Sequence, residues 1–135
     1  MARTFSPVSF SPQRLGSPKV PPPLLVGALR CWRHARDRGE AVQPCLTSQL
    51  RHPQSELLAP VFASLMDLCE VALARPLRVG ASAALSADED MVLGLVNGSL
   101  KRRACIHCNE AAASALDCAL CSTRVMVAQT LAEEG

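Results

Sequence analysis

Residues 55–76, SELLAPVFASLMDLCEVALARP, repeat apolar side chains at spacings of three and four: Leu58, Phe62, Leu65, Met66, Cys69, Ala72 and Leu73. An α-helix brings such positions onto one face, and that face must be covered by other parts of the chain. The pattern predicts a helix over 56–74 with Ser55 as its cap and Pro76 as its stop, and Pro60 is tolerable only near its first turn. Cys69 falls inside the apolar stripe and reads as a small buried hydrophobe.

The partners for that face are helical as well. After Pro23, Leu25, Ala28, Leu29, Trp32 and Ala35 recur with the same period, and Gly39 supplies a stop, which predicts a helix over 24–38. Ser86 and Glu89 form a capping box before a helix over 87–97 that closes at Asn97-Gly98, and the acids Asp88, Glu89 and Asp90 suit the positive end of that helix. These three acids are ordinary helix-start chemistry, and no ligand is needed to explain them. Residues 43–54, QPCLTSQLRHPQ, read as a short helix or turn between prolines, and a last helix is expected over 110–131. Of the 135 residues, 49% are apolar, mostly Ala, Leu and Val, with three Phe, one Trp and no Tyr. That balance favours helices over strands, which draw on aromatic and β-branched residues. The expected fold is therefore all-α: a bundle of about four helices in a single domain over 23–135.

Residues 1–22 differ. MARTFSPVSFSPQRLGSPKVPP repeats Ser-Pro three times and runs into consecutive prolines, which remove backbone donors and favour extended geometry. A flexible basic tail is expected, with Phe5 and Phe10 as anchors for a partner. The charge is uneven. Residues 1–36 carry Arg3, Arg14, Lys19, Arg30, Arg33 and Arg36 and no acid, so the chain's net +2 leaves the remainder at −4. Arg30, Arg33, Arg36 and Arg38 would form the polar side of the first helix, either solvated or offered to an acidic partner, and His34 among them is expected to face solvent. No window approaches 18 uncharged apolar residues, so no membrane-spanning segment is expected.

The run ASLMDLCEVALARPLRVGASAALSADEDMVLGLV, residues 63–96, resembles the middle of a family of short alphaproteobacterial proteins with no assigned activity. In these a helix, a basic-hydrophobic connection and a "DE" helix start follow one another. The resemblance covers about a quarter of the chain and implies a helical fold, with no activity.

The chemistry-bearing stretch is CIHCNEAAASALDCALC, residues 105–121. Cys105, Cys108, Cys118 and Cys121 have the number and pairing of a structural tetrahedral zinc site, C-x2-C-x9-C-x2-C, which makes zinc the expected cofactor. The intervening NEAAASALD is rich in helix formers, and a continuous helix would set Cys108 and Cys118 about 15 Å apart. Sulfurs on one zinc lie within about 4 Å of each other. Either the segment bends into a hairpin or the two pairs belong to different sites, with further ligands from Cys31, Cys45, His107 or a second copy of the chain. The alternatives are free thiols packed among alanines and a redox pair or cluster. Seven cysteines and no secretory leader argue for a reducing, cytoplasmic setting in which thiols stay free or bind metal.

No nucleophile–base set, phosphate-binding glycine loop or metalloprotease motif is present, so an enzyme is not expected. The leading expectation is a small accessory or regulatory protein that binds a protein partner through its tail or its basic first helix and carries a structural zinc. The alternatives are a thiol- or metal-cluster-based redox protein and a binder of nucleic acid or anionic surfaces through the basic first third.

Overall fold

The computed structural model describes residues 20–50 and 55–134, and among these it is all-α, with no strand. In chain order the helices are α1 (Pro22–Arg38), α2 (Val42–Leu50), α3 (Ser55–Leu73), α4 (Ala87–Asn97), α5 (Arg102–Cys105) and α6 (Glu110–Glu134). The four expected helices are α1, α3, α4 and α6. Two more are present among the described residues: α2, which falls at the start of the stretch that reads as a short helix or turn, and α5, a single turn.

α3 is the hub. It packs most extensively against α6 and also against α2 and α1, while α4 reaches α6 and α1. Its stripe is the one the spacing picks out: Leu58, Phe62, Leu65, Met66, Cys69 and Ala72 are buried. With it, Leu25, Ala28, Leu29 and Trp32 of α1, Leu46 and Leu50 of α2, Val92, Leu95 and Val96 of α4, and Leu116, Leu120 and Val127 of α6 form one core cluster, and Ala35 of α1 is buried as well. Burial of this kind, about 25 cal/mol for each Å² of apolar surface, is the main force holding helices together in water.

Pro60 lies in the second turn of α3, further in than the spacing argument allowed. The ring removes only the bond to the carbonyl of Glu56, which is exposed at the helix start, so the interruption is cheap. Pro44 likewise sits in the first turn of α2, where its missing N–H would have had no helical acceptor.

The ends are set by local chemistry. α1 stops at Gly39 in the left-handed region (φ 71°), and α4 stops at Gly98 (φ 82°). At the start of α4 both capping-box bonds form: Ser86 Oγ accepts from the Glu89 amide, and the Glu89 carboxylate accepts from the Ser86 amide. α6 begins with Asn109, whose Oδ1 accepts from the Ala112 amide at 2.8 Å. α3 ends differently, with Ala74 held at φ 58°, a conformation that costs an L-residue about 1 kcal/mol.

The tail expected over 1–22 lies outside the described residues as far as residue 19, as do its anchors Phe5 and Phe10. Its last part joins the domain. Val20 is buried, its amide donates to Asn97 Oδ1 at 2.8 Å, and Pro22 opens α1.

Candidate functional site

The basic side of α1 is largely occupied within the chain. Arg30 donates through Nε and Nη2 to Glu89, at 2.6 and 3.0 Å, and through Nη1 to the carbonyl of Ser82. Arg33 pairs with Glu70 and Asp37, and Arg36 pairs with Asp67 at 2.8 Å. Both Arg33 and Arg36 also lie over the Trp32 ring, 5.1 and 5.2 Å from its centre. Three of the four guanidiniums expected to face water or a partner thus meet acids of α3 and α4. His34 is exposed, as expected, and so is Arg38.

The acids of the α4 start are equally committed. Asp88 takes both terminal nitrogens of Arg75 and the Arg78 amide, and Glu89 takes the Gly80 amide as well as Arg30. The Arg30 guanidinium holds the Glu89 carboxyl down to about 2, and Arg75 lowers that of Asp88. Ionised, paired and fully bonded carboxylates are poor general bases. This cluster pins the 74–86 connection to the bundle, in keeping with the helix-start reading.

The cysteines divide into three groups. Cys31 and Cys45 form a disulfide between α1 and α2, Cα atoms 6.4 Å apart, which corrects the expectation that the thiols stay free or bind metal for these two and removes them as spare metal ligands. The short α1–α2 turn places them side by side, a proximity that cysteine count alone does not reveal. Cys69 is buried in α3, and burial together with Glu70 and Asp88 pushes its thiol up to about 12. Of the proposed zinc ligands, Cys105 ends α5 and Cys108 lies in the following loop, both half-buried, while Cys118 and Cys121 are exposed on α6. Among the described residues no group of three or more His, Cys, Asp or Glu side chains gathers closely enough to hold a metal ion. α6 is continuous from Glu110 and keeps the two pairs separate.

What remains unexplained by internal contacts is the outer side of α3 and α6. Along α6, Leu116, Leu120, Thr123, Val127 and Thr130 face the core, and the two buried threonine hydroxyls donate back to the carbonyls of Ala119 and Met126 at 2.7 Å. The opposite side carries Ala111, Ser114, Cys118, Cys121 and Val125, all exposed and all uncharged. Between Glu110 and Glu133 the helix has only two charges, Asp117 and Arg124. Alongside, α3 presents Leu57 (53% exposed), Val61, Ser64, Leu68 and Val71 (64% exposed). Between the two helices runs an apolar groove of about 360 Å³ lined by Pro60, Val61, Ser64 and Leu68 on one wall and Ala115, Cys118, Ala119 and Ser122 on the other.

Comparison with protein-family models, curated proteins and solved structures found no match.

By length and composition, residues Glu110–Thr130 could cross a membrane, and only 22% of the apolar window within them is buried in the bundle. Asp117 and Arg124 interrupt it, and its core-facing residues pack on α3. A second concavity, at the α4–α5–α6 corner, is lined by Lys101, Arg102, Arg103, Asp117 and Arg124 among others. Two of its cations are spent: Arg102 on Asp117 at 2.7 Å, and Arg124 on the carbonyls of Leu95 and Val96 at the negative end of α4. Lys101 and Arg103 remain exposed at its rim.

The α3–α6 face was not singled out by the sequence, in which the C-terminal cysteines read as metal ligands, as thiols packed among alanines or as a redox pair, and not as part of an exposed helix face. Two signals existed: the charge-poor length of α6, and a second three-and-four periodicity on α3, offset from the first, at Leu57, Val61, Ser64, Leu68 and Val71.

Proposed function

We propose that this is a protein-docking module that receives a helical partner across the α3–α6 face. The observation that carries the reading is the exposed, uncharged side of α6 continuing into an apolar groove against α3. Contiguous apolar surface of this kind is uncommon on a protein that works alone, and a groove between two helices is a natural seat for the apolar side of a third. The internal ion pairs of α1 argue in the same direction, because they commit the half-buried Arg30 and Arg33 to acids within the chain, while the exposed Arg36 is paired with Asp67.

The test is affinity capture with the wild type and with Ser64→Arg/Ser122→Arg, two exposed groove positions where a long cation fills the seat without disturbing the core. A protein partner should be retained by the wild type and lost by the variant at unchanged melting temperature, and Lys101→Ala/Arg103→Ala should retain it. Capture insensitive to the groove change would count against the reading. So would nucleic acid as the bound species, recognised by affinity that falls steeply with salt.

A further inference from the structure

We propose that the occupant of this face is a second copy of the chain, with the two α6 helices antiparallel about a two-fold axis between Cys118 and Cys121. The inference rests on the docking reading and names its partner.

On the outer side of α6 the exposed Ala111, Ser114, Cys118, Cys121 and Val125 and the half-buried Ala128 are spaced three and four apart in alternation, which is the spacing of a helix–helix seam. The series is also symmetric about its own centre. An axis midway between Cys118 and Cys121 sets Cys118 against Cys121 of the other copy, Ser114 against Val125 and Ala111 against Ala128. Each pair combines small residues with at most one valine, so the backbones can approach to about 8 Å, the close end of helix packing. A two-fold interface has to be self-complementary in this way.

The flanking charges select the direction. Asp117 and Arg124 lie on the same edge of the seam, one heptad apart. Antiparallel pairing brings Asp117 of each copy beside Arg124 of the other, once on either side of the axis. A parallel pair would set them against Ser122 and Gln129, which offer no opposite charge. Each side chain has an atom to spare: Asp117 meets Arg102 through Oδ1, leaving Oδ2, and Arg124 uses Nε and Nη2 on the α4 carbonyls, leaving Nη1. On the other edge Ala115 and Ser122 border the groove, so the contact runs on from α6 to Val61 and Leu68 of α3.

Light scattering or sedimentation of the full chain in reducing buffer should give twice the 14.4 kDa chain mass. Ser114→Arg, which places a long cation in the seam, should weaken association at least about tenfold without lowering the melting temperature. Register is read by oxidation in a Cys105→Ser/Cys108→Ser background. Diamide takes two protons and two electrons from a facing thiol pair and leaves one disulfide. The antiparallel seam requires a covalent dimer through Cys118 and Cys121. Adding Cys118→Ser or Cys121→Ser alone should abolish it, and mixing the two single variants should restore it. A monomer at about 100 μM, well above the dissociation constant of a specific interface, would overturn the proposal. A dimer unaffected by Ser114→Arg, or a cross-link that survives Cys121→Ser, would do the same. If the chain is monomeric yet releases a different protein on Ser64→Arg/Ser122→Arg, the dimer fails and the docking reading stands. If it neither self-associates nor loses a partner, both fail.

Discussion

Glu89 is 2% exposed, yet it is ionised, because Arg30 grips both of its oxygens and the amides of Gly80 and Ser86 add to the pair. Its folded pKa, about 2, lies below the ordinary 4.5, so the unfolded chain binds the proton more readily. The stabilisation is therefore complete above about pH 4.5 and is lost as pH falls towards about 2, a contribution of about 3 kcal/mol by linkage. Glu89→Gln should lower stability at pH 7 by an amount of that order and flatten the acid limb of a stability-versus-pH curve measured by urea unfolding. A second expectation at this scale concerns Cys69. With its thiol raised to about 12 and its side chain buried among α3 neighbours, it should stay unmodified by an aromatic disulfide reagent at pH 8 until the protein is unfolded. Rapid native-state labelling at Cys69, located by peptide mapping, would contradict the burial. The inertness of Cys69 was readable from its place in the stripe. The ionisation of Glu89 was readable only as a cap, because its partner Arg30 is 59 residues away and nothing local announces the pairing.

At the scale of elements, α3 ends in strain and α4 begins in comfort. Ala74 turns the chain at φ 58° just before Arg75-Pro76, where the proline disfavours further helix. The side chain at 74 is exposed, so Ala74→Gly should stabilise the protein by about 0.5 to 1 kcal/mol, seen as a rise in melting temperature. An unchanged or lower melting temperature would mean that the turn is relaxed. The helix boundaries that were legible in the sequence are those written in short-range chemistry: Gly39, the Ser86–Glu89 box and Gly98. α2 was ambiguous because nine residues with an internal proline carry little periodicity, and what fixes it is tertiary, namely Leu46 and Leu50 in the core and the bond from Cys45 to Cys31. The outer face of α1 was misjudged for a related reason. A row of arginines on one side of a helix looks solvated in isolation, and only the placement of α3 and α4 shows that Asp67, Glu70 and Glu89 are there to meet it.

For the whole molecule, the Cys31–Cys45 link closes a loop with a sequence separation of 14 and ties α1 to α2. A loop of that length is worth about 3 kcal/mol in the chain-entropy account. Adding reductant, or making Cys31→Ser/Cys45→Ser, should lower the urea midpoint accordingly while leaving the helical circular dichroism of the native state unchanged. Equal midpoints with and without reductant would show that the bond contributes nothing. The α3–α6 face was the least legible feature, since exposure is a property of the assembled bundle and small uncharged residues on a helix look alike whether they are covered or bare. The ion pairs have one further consequence, which concerns handedness. Three helices with apolar stripes can be wound about one another in two mirror arrangements whose greasy contacts are nearly equivalent. Arg30 points to α4 while Arg33 and Arg36 point to α3, so the cations of α1 tell its two neighbours apart. In the opposite winding α4 would lie on the far side of α1, leaving Glu89 and Arg30 each buried or turned away without its counter-charge, a penalty of several kcal/mol. The arginines of α1 thus act as a chirality label for the bundle.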